Sequence, residues 1–456
     1  MGVRLTTETS AARLVGRLSR AVGRGGGTTL PGKLLWKVDP GAVDALAARL
    51  PAGVAVISAT NGKTTTSAML ARILGARYRL AWNNSGANLA SGVASTLLAA
   101  RDADLGLLEV DEFALPEVMR RVCPRVVSLG NLFRDQLDRY GELEHIADRW
   151  RTAVVALPPP SMLVVNADDP LVAELAEGRD QALRFGVDDP RLARPALQHA
   201  ADSKYCVRCG GPYTYAAAYV GHLGDYRCPA CGHARPQLDV AARSIDLQAL
   251  DASVFDLVTP AGTARVRLPL PGLYNVYNAL AAASAALALD ASLDEIVTGL
   301  GTFTAAFGRF ERIEVGDRRI LMLLIKNPAG ANEAVRTLEE GGVPATLVIA
   351  LNDRIADGRD VSWIWDVDFE PLLEQVERIV VSGERAAELA LRFTYSGYPP
   401  QQLEVIPDLR EALDRGLALV PAGGELGVLP TYTAMLELRQ IAVSRGLVRP
   451  FWEEAP

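Results

Sequence analysis

The chain has 456 residues, which is more than one ordinary hydrophobic core requires and enough for two or three domains. Its 49% hydrophobic and 22% charged residues are typical of a soluble globular protein, and its net charge of −7 disfavours non-specific binding to nucleic acid. No apolar run reaches the roughly 20 residues that a membrane span needs, because the alanine-rich stretch after Asn278 ends at Asp290 and is predicted to be a buried helix.

Residues 1–48 are predicted to form an N-terminal helix and a glycine-rich loop. Arginines lie beside leucine and valine at helical spacing in residues 11–24, so this helix could contact anionic lipid, or it could dock on the protein with a solvated face. Residues 23–32 have the composition of a loop. The segment lacks the apolar stretch of a secretory signal, and five cysteines without an export signal indicate a reducing compartment. We therefore expect a cytoplasmic protein.

A phosphate-binding loop is predicted next. An apolar strand at 54–57 is followed by Ser-Ala-Thr-Asn-Gly-Lys-Thr-Thr-Thr at 58–66 and by a helix-like segment at 67–74. In such a loop, backbone N–H groups and a helix N-terminus meet a polyphosphate. Lys63 would contact the β- and γ-phosphates of ATP, and the Thr64 hydroxyl would bind Mg²⁺. The other residues expected at the nucleotide are Thr60, Asn61, Gly62 and Thr65. The alternative is a chance Gly-Lys-Thr, because Ile57 stands where the complete motif has its first glycine.

Acidic residues follow the next buried strand. The apolar run at 105–108 ends in Glu109, and Glu112 lies three residues later. Carboxylates at the carboxyl end of a parallel strand are where α/β folds hold Mg²⁺. Both glutamates are candidates, and a solvated acidic turn is the alternative.

Four cysteines predict a zinc ribbon at about residues 200–236. Two Cys-x-x-Cys pairs are separated by 18 residues, and each pair is followed by glycine. This spacing favours a closed tetrahedral Zn²⁺ site with a structural role, and a pair of disulfides is the alternative. The candidate ligands are Cys206, Cys209, Cys228 and Cys231. Nearby tyrosines could form a binding face or the core of a small domain.

Several of these motifs resemble those of the Mur ligases, the ATP-dependent amide ligases of cell-wall precursor synthesis. The similarity lies in the Ala-Thr-Asn-Gly-Lys-Thr-Thr-Thr loop, in Leu-Pro-Leu-Pro-Gly-Leu-Tyr-Asn-Val-Tyr-Asn at 268–278, and in Phe-Gly-Arg-Phe-Glu at 307–311. It implies that Glu109 is the preferred Mg²⁺ ligand, that Asn278 contacts adenine and that Arg309 approaches the ATP phosphates. Gln136 stands where these ligases have a metal-linked histidine.

The resemblance also implies an α/β fold in several parts. A central ATP-binding domain with a parallel-rich sheet is expected at residues 49–308, with the zinc ribbon inserted at 200–236. A C-terminal α/β, Rossmann-like domain is expected at 309–456. In it, Lys326 precedes Asn-Pro where Mur ligases have histidine.

The four-cysteine insertion, Phe-Arg-Asp-Gln-Leu-Asp-Arg-Tyr-Gly at 133–141 and Asp-Gly-Arg-Asp-Val-Ser-Trp-Ile-Trp-Asp at 357–366 together resemble the MurT family. These proteins are Mur-ligase-like subunits of lipid II isoglutaminyl synthase. The resemblance implies ATP-dependent amidation of the D-Glu α-carboxylate of the lipid II stem peptide, through an acyl phosphate, at the inner face of the membrane. Ammonia would come from a GatD-like glutaminase subunit, whose Cys-His pair would be completed by Asp353, Asp357 or Asp360.

Three other functions remain open at this point. A folylpolyglutamate- or cyanophycin-type amino-acid ligase would share the ATP loop but would not need the four cysteines. A zinc-ribbon NTPase acting on nucleic acid is disfavoured by the net charge of −7 and the lack of a basic stripe. A regulatory scaffold that only binds nucleotide would be consistent with Gln136 and Lys326 at the two histidine positions.

Overall fold

The structure is a computed structural model, and it describes residues 29–84, 87–135, 142–198, 201–304 and 310–449. Two short helices come first, α1 (Leu30–Val38) and α2 (Gly41–Ala47). Residues 30–32, which were predicted to end the glycine-rich loop, instead form the first turn of α1. Pro31 has the fixed φ that suits a first helical turn, and Gly32 is buried too close to Ser95 to carry a side chain.

In its described residues, the central part of the chain contains eleven strands, of which nine form one sheet. The strands are β1 (Val54–Ser58), β2 (Leu80–Trp82), β3 (Leu105–Glu109), β4 (Val126–Leu129), β5 (Met162–Asn166), β6 (Ala182–Val187), β7 (Thr214–Val220), β8 (Leu223–Arg227), β9 (Val240–Gln248), β10 (Ala252–Thr259) and β11 (Gly262–Leu268). The order in the large sheet is β11-β10-β9-β6-β5-β4-β1-β3-β2. Every pair from β9 to β2 is parallel, and β10 and β11 add an antiparallel edge.

Helices cover both faces of this sheet, which is why its central strands are apolar along their whole length. They are α3 (Lys63–Leu74), α4 (Ala90–Ala99), α5 (Leu115–Val122), α6 (Leu143–Val155), α7 (Pro170–Ala173), α8 (Leu273–Leu287) and α9 (Leu293–Gly301). The alanine-rich helix α8 is buried over most of its length, as predicted, and it packs on α3 and the sheet. Its small side chains allow the two helices to approach closely beside the phosphate-binding loop.

The C-terminal part is a second α/β unit with a six-stranded sheet. Its elements are β12 (Glu311–Val315), β13 (Arg318–Met322), α10 (Pro328–Gly341), β14 (Thr346–Ala350), α11 (Glu370–Leu373), β15 (Arg378–Ser382), α12 (Ala386–Tyr395), β16 (Leu403–Val405), α13 (Leu409–Leu419), β17 (Glu425–Pro430) and α14 (Tyr432–Ser444). The order is β12-β13-β17-β14-β15-β16, and only β12 runs antiparallel to its neighbour.

The cysteine segment lies between β6 and β9 and contains the separate hairpin β7–β8. Tyr213 and Tyr226 are buried with Cys206 and Cys228 in a small cluster of their own. Most of the tyrosines therefore form the core of this insertion, whereas Tyr205 is 67% exposed. The expected mixed α/β architecture, with parallel-rich sheets and a clustered four-cysteine insertion, is confirmed.

Candidate active site

The phosphate-binding loop, hereafter the P-loop (residues 58–66), connects β1 to α3. Gly62 has a φ of +89°, and a Cβ atom there would lie 1.9 Å from Oδ1 of Asn278. Only glycine both adopts this positive φ readily and lacks the Cβ atom that would clash with Asn278. α3 begins at Lys63, directly after this turn. The backbone N–H groups of its first turn therefore face the end of the loop, as an anion site requires.

Lys63 is buried and held by carboxylates. Its Nζ lies 2.7 Å from Oε2 of Glu112, and it also donates to the carbonyl oxygens of Ala59 and Thr60. Burial lowers the pKa of the Lys63 ammonium, but the nearby carboxylates, Glu112 foremost, outweigh this and raise the pKa above its ordinary value. The site therefore keeps a positive charge at the point where a polyphosphate would lie.

The two candidate magnesium ligands have different partners. Oε1 of Glu109 accepts hydrogen bonds from Oγ1 of Thr64 at 3.2 Å and from Nδ2 of Asn88 at 3.3 Å. The side chain of Asn83 fixes the backbone of Glu109, because its amide accepts from the Glu109 N–H and donates to the Glu109 carbonyl oxygen. A threonine hydroxyl beside a carboxylate oxygen is a donor set that suits Mg²⁺. Glu109 and Thr64 fit that ion, whereas Glu112 is engaged by Lys63.

Asparagines attach the P-loop to two other segments. Asn131, which follows β4, accepts from the N–H of Asn61 at 2.9 Å and donates to its carbonyl oxygen at 3.0 Å. Asn327, the N-cap of α10 in the C-terminal part, exchanges two side-chain hydrogen bonds with Asn61 at 3.0 and 3.1 Å. The sequence analysis gave neither Asn131 nor Asn327 a role. In the sequence, Asn131 and Asn327 could be recognised only as amide side chains that follow an apolar run.

A cavity adjoins the P-loop on the side of α8. Polar side chains in its lining include Ser128 of β4, Asn131 of the following loop, Asn166 of β5, and Tyr277 and Asn278 of α8. The Asn278 amide donates to Oδ1 of Asn275 at 3.1 Å, while its own Oδ1 lies 3.4 Å from Oγ1 of Thr66. Asn278, predicted to contact adenine, therefore lies at the P-loop. Thr60 and Thr65 are buried in the same region.

A lysine from the C-terminal part reaches the central domain beside this loop. Nζ of Lys326 lies 2.6 Å from Oδ2 of Asp135, whose side chain is 6% exposed. The neighbours of both residues contact the P-loop, since Asn327 bonds Asn61 and the N–H of Phe133 donates to Oγ1 of Thr60. Arg309 and Gln136, named in the sequence analysis, lie outside the described residues.

The four cysteine sulfurs lie within 4.8 Å of one another. The separations are 3.6 Å for Cys206–Cys231 and 3.5 Å for Cys209–Cys228, close to the roughly 3.8 Å expected between thiolates on one tetrahedral Zn²⁺. All four are free cysteines, so the disulfide alternative is wrong. Gly210 and Gly232 have positive φ, as the tight turns around a metal require. The donor set fits a closed structural zinc site.

The three candidate aspartates lie in the loop after β14, hereafter the acid loop (residues 351–361), in three environments. Asp357 is buried and accepts from the N–H of Thr433 at 2.8 Å and from its hydroxyl. Burial raises the pKa of Asp357, although the bonds from Thr433 oppose this. Asp353 is half-buried and pairs with Arg385 at 3.0 Å.

Asp360 is exposed at the far end of the acid loop, where the hydrogen bond from Ser362 lowers its pKa. The segment continues into an aromatic surface: Trp365 is 45% exposed and stacks edge-on against the exposed Tyr395 at 5.7 Å. The acid loop and this surface are therefore contiguous on the C-terminal part.

Known proteins resemble both parts of the chain. The Mur ligase middle domain model matches residues 57–221, and the MurT ligase C-terminal model matches residues 324–435. The lipid II isoglutaminyl synthase (glutamine-hydrolyzing) subunit MurT of Streptococcus pneumoniae is 33% identical over 453 residues, 98% of this chain and 99% of that protein. The subunit of the same name from Staphylococcus aureus strain N315 is 34% identical over 395 residues, 86% of this chain and 87% of that protein.

Solved structures share the fold at lower identity. A pseudomurein peptide ligase type C from Methanothermus fervidus has a TM-score of 0.67 at 22% identity and covers 86% of this chain and 78% of its own. A folylpolyglutamate synthase from Mycobacterium tuberculosis, complexed with ADP, has a TM-score of 0.61 at 16% identity. The match covers 98% of this chain and 100% of the synthase chain. Among the described residues, no helix is both long and apolar enough to cross a membrane. The near-complete match to the two MurT subunits, with both family models, establishes that the chain belongs to the MurT family of Mur-ligase-like proteins.

Proposed function

We propose that the chain is the ATP-using subunit of a lipid II isoglutaminyl synthase. In this reaction the α-carboxylate of D-Glu in the lipid II stem peptide becomes a carboxamide, giving D-isoglutamine. The observation that carries the proposal is the P-loop, where a charged Lys63 and a Thr64–Glu109 pair lie together in a chain of the MurT family. The activity would be exerted on a lipid-linked substrate at the inner face of the membrane.

The chemistry needs ATP because a carboxylate is a poor electrophile. A carboxylate oxygen attacks the γ-phosphorus, ADP leaves, and an acyl phosphate forms. The nitrogen of ammonia then attacks the acyl carbon, phosphate leaves, and one proton is lost. Charge on the transferring phosphoryl group would be stabilised by Lys63 and by Arg309. Mg²⁺ bound by Thr64 and Glu109 would supply further positive charge at the phosphates.

Ammonia would be supplied by a glutaminase subunit of the GatD type. At neutral pH free ammonia is mostly protonated, and this chain lacks a cysteine placed for glutamine hydrolysis. Four of its five cysteines lie together in the candidate metal site, and Cys123 lies at the amino edge of β4, whereas the P-loop meets the carboxyl edge. The two MurT relatives are named as subunits of a glutamine-hydrolyzing synthase, which supports the same view.

The acid loop is the proposed docking point for that partner. An aspartate that completes a Cys-His pair orients the histidine and stabilises its charged form, so its carboxylate must reach the partner. Asp353 is accessible at the surface, and Asp357 is held in a fixed orientation by Thr433. The adjoining aromatic surface of Trp365 and Tyr395 gives the partner an apolar contact of the kind found in interface centres.

The test is turnover with purified partner, glutamine, ATP and lipid II, read by mass spectrometry of the stem peptide. We expect the small mass decrease that accompanies conversion of a carboxylate to a carboxamide, and we expect Lys63→Met to abolish it. Lys37→Met, at an exposed position of α1, is the control. Addition of a whole amino acid without glutamine would instead indicate a folylpolyglutamate-type ligase. ATP binding without turnover, with the partner present, would indicate a regulatory scaffold.

A further inference from the structure

We propose that the cysteine insertion holds the P-loop in its binding conformation, and that its metal cluster thereby sets the affinity for ATP. The inference rests on the proposed nucleotide site. It concerns the tip of the β7–β8 hairpin (residues 220–223) and the loop after β4 (residues 131–135, hereafter the β4 loop). These two segments lie between the cysteines and the P-loop.

The metal cluster fixes one end of the hairpin, and the tip lies at the other end. β8 ends at Arg227, immediately before Cys228, and β7 begins five residues after Cys209. A seven-residue strand spans roughly 20 Å, so the hairpin carries the geometry of the cluster to a distant point. At that point the tip is buried: the side chains of Val220, His222 and Leu223 are each less than 5% exposed.

The hairpin tip packs directly on the β4 loop. The ring centroids of His222 and Phe133 are 4.8 Å apart. Gly221 has a φ of +56°, and a Cβ atom there would lie 2.8 Å from Cε1 of Phe133. The contact therefore has no room for even one extra carbon, and any displacement of the tip changes the position of Phe133.

Two aspartates hold the backbone of the β4 loop from the same side. Oδ2 of Asp169 accepts from the N–H of Leu132 at 2.8 Å and lies 3.4 Å from Nε2 of His222. Asp202, four residues before the first cysteine, accepts from the N–H of Arg134 at 3.0 Å and pairs with its guanidinium. The N–H groups of Leu132 and Arg134, on either side of Phe133, are thus bound by groups in or against the insertion.

The β4 loop in turn fixes the P-loop. The N–H of Phe133 donates to Oγ1 of Thr60 at 3.1 Å, and the N–H of Thr60 donates to the carbonyl oxygen of Asn131 at 2.8 Å. The Asn131 side chain binds the N–H and carbonyl of Asn61. The contacts are continuous from the cysteines through the tip and the β4 loop to the residues just before Gly62 and Lys63.

A second set of contacts reaches the cavity beside Asn278. Arg235, four residues after the last cysteine, donates to Oδ1 of Asp168 at 3.0 Å, and the Tyr277 hydroxyl donates to Oδ2 of the same carboxylate at 2.6 Å. Tyr277 lines the cavity next to Asn278. The insertion therefore supports the proposed nucleotide site from two sides.

The test uses full-length protein with its metal retained and two tip variants, Gly221→Ala and His222→Ala. We expect the dissociation constant for Mg-ATP to rise roughly three- to thirtyfold, and amide hydrogen exchange in residues 131–135 to accelerate, while metal content and circular dichroism stay unchanged. Arg227→Ala, exposed at the other end of β8, is the matched control and should leave both measurements unchanged. Unchanged exchange and affinity in both tip variants would overturn the inference.

Metal removal provides an independent arm. A zinc-selective chelator, used with Mg²⁺ in excess, should accelerate exchange in residues 131–135 and weaken ATP binding, and added Zn²⁺ should restore both. If metal loss unfolds the whole domain, the inference is judged on the hydrogen exchange and ATP affinity of the two tip variants. Hydrogen exchange needs no nucleotide, so wild-type protein that fails to bind ATP would refute the proposed function, while the exchange data would still decide the role of the insertion.

Discussion

The P-loop and the acid loop occupy equivalent places in their two sheets, yet their surroundings differ. Each follows a buried parallel strand, β1 or β14. In the P-loop, Lys63 and Thr64 both meet carboxylates of their own domain. In the acid loop, Ile355 is 72% exposed, and the following segment presents Trp365 to solvent. This contrast supports the proposal that phosphoryl transfer uses groups of this chain alone, whereas the acid loop is completed by a second protein.

Replacing Lys63 by methionine tests the first half of the comparison and should have the largest effect. The substitution keeps an unbranched side chain that is one atom shorter, and it removes the ammonium group that lies 2.7 Å from Oε2 of Glu112. We expect ATP turnover to fall by about three orders of magnitude, measured as phosphate release with substrate and partner present. Turnover within tenfold of wild type would contradict the assignment of the P-loop as the phosphoryl-transfer site.

Replacing the acid-loop aspartates by asparagine tests the second half. Loss of the acid that orients a catalytic histidine should lower glutamine hydrolysis by the partner about 100-fold or more, for either Asp353→Asn or Asp357→Asn. Asp360→Asn is the comparison variant, since its carboxylate is exposed but lies at the far end of the acid loop, bonded to the N–H of Ser362. Glutamate release by the complex is the readout, and pull-down of the partner separates lost docking from lost catalysis. Equal effects in all three variants would refute a triad role for a particular residue.

Substitution of Glu109 should separate the two glutamates of the P-loop region. Because Glu109 faces Thr64 and Glu112 faces Lys63, Glu109→Gln should raise the Mg²⁺ concentration for half-maximal turnover about tenfold or more. Glu112→Gln should change that concentration much less. A magnesium titration of ATP turnover distinguishes them, and the reverse ranking would assign the ion to Glu112.

Much of the fold and of the candidate site could be predicted from the sequence, but the residues that contact the P-loop and the acid loop could not. The cysteine cluster and the buried alanine-rich helix follow from composition and motif spacing, and the mixed α/β fold follows from the resemblance to the Mur ligases. The sequence predicts a helix from residue 67, whereas α3 begins at Lys63. Three successive β-branched threonines, at 64–66, have low helix propensity and hide its first turn. At a first turn, tertiary contacts outweigh that preference.

The contacts that join distant segments left no local signal. Asn61 and Asn327 are hydrogen-bonded although they are 266 positions apart in the chain. Each lies in a loop that belongs to a different sheet. The contact between the hairpin tip and Phe133 was equally hidden, because in the sequence His222 is only one of four histidines. Pairings of this kind depend on how whole elements pack, which periodicity and motif spacing do not encode.

Glu112→Gln also makes a prediction about pH. Burial lowers the pKa of Lys63, and Glu112 is the main charge that raises it. The ammonium is present below its pKa and lost as the pH rises through it. Removal of the carboxylate charge should therefore move the alkaline limb of ATP turnover to lower pH and leave the acidic limb in place. A pH profile at saturating Mg²⁺ measures this, and an unchanged alkaline limb would show that Lys63 is not the titrating group.

The smallest effect concerns the link between the two halves, the Lys326–Asp135 pair. Asp135 is 6% exposed and Lys326 is 24% exposed, so removing either charge leaves the other poorly solvated. A double-mutant cycle with Lys326→Met and Asp135→Asn should give a coupling energy of roughly 0.5–2 kcal/mol in urea unfolding. The surface pair Arg243–Asp188, 55% and 37% exposed, should give close to zero. If the two cycles agree, the pair contributes no more than a surface ion pair, and the other contacts between the two parts, such as Arg194–Glu333 at 3.3 Å, account for their association.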